Sequence, residues 1–228
     1  MSVLSLGKLL RPASAGLNAP ACYLRRRQER ALKRCCVATR SLVLSYDDGP
    51  AASLTPALLD LLASYAAKCT FFLLGKRAVE HPEVVDRLVA EGHDLGCHGN
   101  QHVNAWEVSP SEAVRDLDEG YAAMARWMPP NATFRPPYGK LSVPTWLALR
   151  RRGARVGWWT VDSGDTWERM PSATEPVEAV RKAGGGVVLL HDFERVTERW
   201  GQVLEMTEAL LKAARAEGWA VRQMRDVM

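Results

Sequence analysis

From residue 41 onward, short apolar runs alternate with stretches whose apolar positions recur every three or four residues. The runs LVLSYDDG (42–49), CTFFLLG (69–75), HDLGCHG (93–99), TFRPPYG (133–139), RVGWWTVD (155–162), GVVLLHDF (186–193) and WAVRQM (219–224) read as strands. The segments 53–67, 82–92, 109–128, 143–153, 175–186 and 203–218 read as helices between them. Caps support several boundaries: Ser53 or Thr55 opens the first of these helices with Pro56 near its first turn, and Gly92 and Gly153 close two others. Strands that are apolar throughout, alternating with amphipathic helices, predict an α/β fold with a parallel sheet covered by helices. Seven repeats without a mid-chain break suit a TIM-barrel-like closure better than an open doubly wound sheet. No GxGxxG follows the first strand, so no dinucleotide is indicated.

Length adds that 228 residues fit one sizeable domain. The net charge of +4 changes meaning once it is divided. Residues 1–40 carry nine Lys/Arg and one acid, a net of +8, which leaves −4 for residues 41–228. The chain therefore divides into a basic N-terminal arm, 1–40, and a mildly acidic domain, 41–228, and no nucleic-acid partner is expected. Within the arm, YLRRRQERALKRCC reads as a solvated segment or as a basic helix that makes weak contact with an anionic membrane surface. SVLSLG is interrupted by Lys8, and ASAG (13–16) lacks an apolar core before it, so a cytoplasmic, non-secreted protein is expected. Five cysteines (Cys22, Cys35, Cys36, Cys69, Cys97) without CxxC spacing are not a disulfide framework.

Polar residues gather at the C-terminal ends of the predicted strands: Asp47-Asp48, His98 to His102, Arg135 to Gly139, Asp162 to Asp165, and His191-Asp192. In a β/α barrel those ends share one rim, where chemistry resides. Two adjacent carboxylates at the end of a buried strand are costly unless something positive holds them. A turn alone explains Asp-Asp-Gly-Pro. Two histidines four residues apart on the same rim favour a second reading, in which two imidazoles and one carboxylate hold a metal and leave room for water. Zinc and non-haem iron both accept that set.

SYDDGP, HGNQH, RPPYG, DSGDTW and LLH, in this order, resemble the five motifs of the polysaccharide deacetylases, the NodB-homology domain of carbohydrate esterase family four. The resemblance covers about residues 41–225. It implies a distorted (β/α)7 barrel and metal-dependent removal of an acyl group from an amino-sugar nitrogen, with an N-acetylated saccharide as substrate. By that likeness Asp48, His98 and His102 bind one divalent metal, zinc first and cobalt or nickel otherwise. Asp47 is the general base, Arg135 orients it, and His191 is the acid with Asp165 behind it. The Tyr138 N–H stabilises the oxyanion, Leu189 walls the acyl pocket, and Trp167 lines the groove, with Trp106 and Trp159 as further stacking candidates. Two departures stand out. Gly99 occupies a position where the family usually has Ser or Thr, which predicts a looser loop around His98 and His102. Thr166 separates Asp165 from Trp167, which puts the indole's placement in question. The expected activity is N-deacetylation of an amino sugar in a poly-, oligo- or precursor saccharide, an intracellular precursor being favoured by the lack of an export signal. A deformylase or amidase on a lipid-linked or small substrate is the alternative, and a non-catalytic glycan-binding module the third reading. Oligomeric state is not legible.

Overall fold

The computed structural model describes residues 19–193 and 197–228; the readings of SVLSLG and ASAG lie outside the described residues. Six parallel strands form the sheet: β1 (Ser41–Asp47), β2 (Thr70–Leu73), β3 (Asp94–Cys97), β4 (Val161–Asp162), β5 (Gly186–His191) and β6 (Ala220–Arg222). Their order is β3-β2-β1-β5-β4, and β6 pairs with the first residues of β1. The helices are α1 (Ala19–Ala38), α2 (Leu54–Ser64), α3 (Gly75–Glu80), α4 (Pro82–Ala90), α5 (Pro110–Ala123), α6 (Val143–Arg152), α7 (Thr174–Ala183) and α8 (Thr197–Glu217).

Alternation along β1 decides what faces the barrel interior. Tyr46 points outward, stacked on Phe71 at 4.9 Å and hydrogen-bonded to Thr207 of α8 at 3.0 Å. Ser45 and Asp47 point inward to Arg135. The outer face of the sheet is covered by apolar helix faces; α2 buries Leu58, Leu59 and Leu62 completely, each worth roughly 1.5–3 kcal/mol.

The barrel departs from the sequence pattern at its fourth and fifth strands. The run 133–139 contributes a single residue, Phe134, bridged to Cys97 on one side and Val156 on the other. Pro136 and Pro137 supply no N–H and so end the ladder. The run 155–162 is one extended segment that changes partners midway. Gly157 N–H donates to Phe134 O, while Thr160 N–H donates to Val187 O on β5. Val156 and Val161 are thus the two ends of the curved sheet, and among the described residues no ladder closes them. α1 packs at this seam. It buries Ala21, Leu32 and Cys36, accepts a hydrogen bond from Trp158 Nε1 at Gln28 Oε1 (2.8 Å), and lays Arg25 over the Trp158 and Trp159 rings at 4.9 and 4.7 Å. No described helix is long and apolar enough to cross a membrane.

Candidate active site

Strict alternation would send Asp47 and Asp48 to opposite sides. They share one mouth because the chain turns left-handed directly after β1, with Asp48 at φ 72°. Arg77 of α3 holds that turn by donating to the Asp48 carbonyl oxygen at 2.7 Å. His102 (φ 62°) and Tyr138 (φ 57°) are also left-handed. Such backbone costs on the order of 1–3 kcal/mol per residue and persists where the surroundings hold it.

Asp48 Oδ1 lies 3.3 Å from His98 Nε2 and 3.1 Å from His102 Nε2. One ligand atom from each of the three residues falls within 4.8 Å of the others. The His98 ring is oriented from behind, with Nδ1 2.7 Å from the Arg135 carbonyl oxygen. Only an N–H can approach a carbonyl that closely, so in the neutral ring the Nε2 lone pair faces Asp48. Asp48 Oδ1 is buried and has no hydrogen-bond partner among the described residues. Acceptors aimed at one another need a cation between them, and two imidazoles with one carboxylate are a donor set that zinc accepts. The residues therefore fit a divalent metal. Burial opposes charge on Asp48, but His98, His102 and His191 together hold its carboxyl well below the usual range. Burial pushes His102 down to about 4, leaving its ring neutral for coordination.

Asp47 stands beside the cluster, with Oδ2 3.7 Å from His98 Nε2. Its other oxygen accepts from Arg135 Nη1 at 2.7 Å. The guanidinium is fully buried, donates also to Ser45 Oγ (2.9 Å) and Gly157 O (3.0 Å), and lies over the Phe72 ring. On the neighbouring strand His191 is in register with Asp47. Asp165 grips His191 twice, accepting from its backbone N–H at 2.9 Å and pairing with Nδ1 at 2.8 Å. Burial disfavours the imidazolium, yet Asp165, Asp47 and Asp48 push its pKa up to about 9. Leu189, in register with Ser45, lies on the same inward face as His191.

The Tyr138 ring packs on His102 at 4.4 Å, and its backbone N–H has no acceptor among the described residues. Trp167 is exposed on the loop after β4, next to Gly164, with its carbonyl held by Arg199. Trp106 is tied to the Leu141 carbonyl at 2.9 Å beneath Lys140. Trp159 lies between Arg25 and Arg135.

Gly99 has φ 84°, and a Cβ there would collide with the Asp116 carboxylate. Asp116, from α5, accepts the Gln101 N–H at 2.7 Å. It secures the His98–His102 loop from the neighbouring helix. α5 can come this close because Gly120 has no side chain where it meets the Gly99 backbone. Asp192, directly after His191, is a third residue for which sequence reasoning named no role. It is fully buried under Gly49, accepts from Thr55 Oγ1 at 2.8 Å, and has no partner for Oδ1 among the described residues. Burial raises its pKa to about 7.

Residues 35–157 match the family model for polysaccharide deacetylase. The chain belongs to the polysaccharide deacetylase family. The relatives it matches are named deacetylases, hydrolases of carbon–nitrogen bonds in polysaccharides. The chain is 31% identical over 153 residues to a peptidoglycan-N-acetylglucosamine deacetylase of Bacillus cereus, covering 66% of this chain and 72% of that one. It is 33% identical over 158 residues to a chitooligosaccharide deacetylase of a Bradyrhizobium species, covering 68% and 71%. Among solved structures it resembles a peptidoglycan N-acetylglucosamine deacetylase crystallised with a naphthyl-substituted N-hydroxybenzamide. That likeness has a TM-score of 0.75 and 26% identity, and covers 83% of this chain and 88% of that one. The seam and the single-residue bridges above are how this chain realises the family's barrel-like α/β fold.

Proposed function

We propose that this polysaccharide deacetylase hydrolyses the N-acetyl group of an N-acetylated amino sugar within a saccharide, using a divalent metal held by Asp48, His98 and His102. The observation that carries the reading is the set of three converging donor atoms with a separate, arginine-held carboxylate beside it. Zinc or a similar cation, when bound, supplies Lewis-acid polarisation of the amide carbonyl and acidifies water. Asp47 takes the proton of the attacking water; Arg135 keeps its carboxylate aimed. The Tyr138 N–H donates to the developing oxyanion, where a single donor is worth roughly 2.7–4 kcal/mol. His191, protonated and oriented by Asp165, delivers a proton to the departing nitrogen, which would otherwise leave as an unstable anion. Leu189 beneath His191 limits the acyl pocket to a small group. The relatives' names, peptidoglycan-N-acetylglucosamine deacetylase and chitooligosaccharide deacetylase, favour N-acetylglucosamine-containing saccharides as substrates.

The test is acetate release from N-acetylglucosamine oligosaccharides with added zinc or cobalt, repeated after a chelator. Metal-dependent acetate production is expected. Release of formate from an N-formyl sugar without acetate would replace the reading with deformylation. Saccharide binding with no acyl product under any metal would replace it with a glycan-binding role.

A further inference from the structure

A cavity of about 500 Å³ lies between α1 and β4, outside the catalytic cluster. Arg26, Arg30 and Lys33 line it from the helix, and Trp159, Thr160 and Asp162 from the seam. Its positive charge is not spent inside the protein. Glu29, also on the wall, is engaged by Arg25 at 2.7 Å. Asp162 accepts the Gly164 N–H and brings one carboxylate to the wall against the three cations of the helix. Arg26, Arg30 and Lys33 pair with no carboxylate among the described residues, and all three are exposed. A solvated helix face would carry such charges without a cavity or an aromatic wall; here both are present.

Packing contacts connect one wall of the cavity to the reacting centre. Trp159 walls it on one side, and the far edge of the same indole abuts Gly139. Arg25 ties Gly139 to α1 through the carbonyl oxygen at 3.0 Å. The residue before Gly139 is Tyr138, whose ring covers His102. Two aromatic side chains thus link the Asp48–His98–His102 cluster to a cationic groove. The Trp159 ring is held between Arg25 and Arg135 and offers the groove its edge; the planar guanidinium groups of Arg26 and Arg30 match the oxygens of a phosphate.

We propose that the groove between α1 and β4 binds a phosphate ester carried by the saccharide substrate, at a sugar unit beyond the one that is deacetylated. This rests on the deacetylase reading and adds a substrate class to it: saccharides bearing phosphate. A phosphate borne by a lipid headgroup shares that chemistry, so the test separates the two sources.

The probes are a neutral N-acetylglucosamine oligosaccharide and the same oligosaccharide with a terminal phosphate. Both are measured by acetate release and by calorimetry on the full chain. The phosphorylated form is expected to show a KM and Kd lower by roughly tenfold or more, with kcat little changed. That advantage should fade at several hundred millimolar salt. In the double variant Arg26→Ala/Lys33→Ala the ratio between the two substrates should fall to near one. In Arg26→Lys/Lys33→Arg, which keeps the charge, most of the preference should return. Circular dichroism reports whether each variant stays folded. Equal handling of the two oligosaccharides, or a preference that survives the double alanine variant, overturns the proposal. So does binding to phosphatidylglycerol vesicles over phosphatidylcholine ones without any preference between the oligosaccharides. Phosphate-selective calorimetric binding lost in the double variant, with no acetate from either probe, supports the groove and removes the deacetylase reading alone.

Discussion

Gly99→Ser introduces a small hydroxyl side chain beside the His98–His102 loop, and it is expected to damage this chain. Two effects add. An L side chain held in the left-handed region, here at φ 84°, costs about 1–2 kcal/mol. The new Cβ also drives the Asp116 carboxylate from its place, so the Gln101 N–H loses its acceptor, a further ~1–3 kcal/mol. Together these give roughly 2–5 kcal/mol, which for a chain of this size lowers Tm by roughly 4–20 °C. Helix α5 cannot move aside cheaply, because Gly120 already meets the Gly99 backbone and Gly75 N–H donates to Gly99 O at 2.9 Å. Thermal and urea unfolding of chelated protein measure the loss, and zinc competition measures how far the His98–His102 pair is disturbed. A double-mutant cycle with Asp116→Ala sharpens the test. Once the carboxylate is gone the serine has room, so the combined loss should be smaller than the sum of the single losses. A serine variant as stable as the parent, or strict additivity with Asp116→Ala, would refute the claim that the Asp116 carboxylate occupies the space a side chain at position 99 would need.

Three further outcomes follow from the site. Asp47→Asn should retain stoichiometric zinc by elemental analysis while acetate release falls roughly 10²–10⁴-fold; parallel loss of zinc and turnover would mean that Asp47 is a ligand and not the base. Asp165 lifts the His191 pKa towards about 9, and the acid form is needed, so activity should hold on the alkaline side until His191 loses its proton. Asp165→Asn should move that limb of the pH–rate profile to lower pH, and an unmoved limb would exclude His191 as the acid. Asp192 keeps its proton to about pH 7 when folded, against an ordinary value of 3.8, so the unfolded chain loses that proton first. The native state then loses stability as pH rises from about 4 to 7, on the order of 4 kcal/mol in chelated protein. Asp192→Asn should match the parent at pH 4 and exceed it at pH 8 in urea unfolding; parallel pH profiles would contradict a buried, poorly partnered carboxyl.

What the chain displays openly and what it conceals divide along a physical line. Asp47, His98, Arg135, Asp165 and His191 stand at the ends of apolar runs, and period-two alternation brings those ends to one rim without knowledge of any contact. Arg77, Asp116 and Asp192 act on backbone atoms or beneath a turn. On α3 and α5 an arginine or aspartate that meets a distant carbonyl or N–H is spelled the same way as one that meets water, so periodicity carries no trace of it. The seam is hidden for a related reason. RVGWWTVD is a strand by composition, but nothing in it says that Gly157 pairs with Phe134 while Thr160 pairs with β5. The helix over that seam was legible in part: Ala21, Leu32 and Cys36 are spaced eleven and four apart, which puts them on one helical face. Six Lys and Arg on the same helix mask that thin stripe. The stripe buries little, so most of what fixes α1 is polar: Arg25 on two indoles and on Gly139, and Gln28 on Trp158. The basic residues that made the arm look like a solvated leader include the one that ties it to the loop carrying Tyr138, which places their unpaired neighbours beside the catalytic rim.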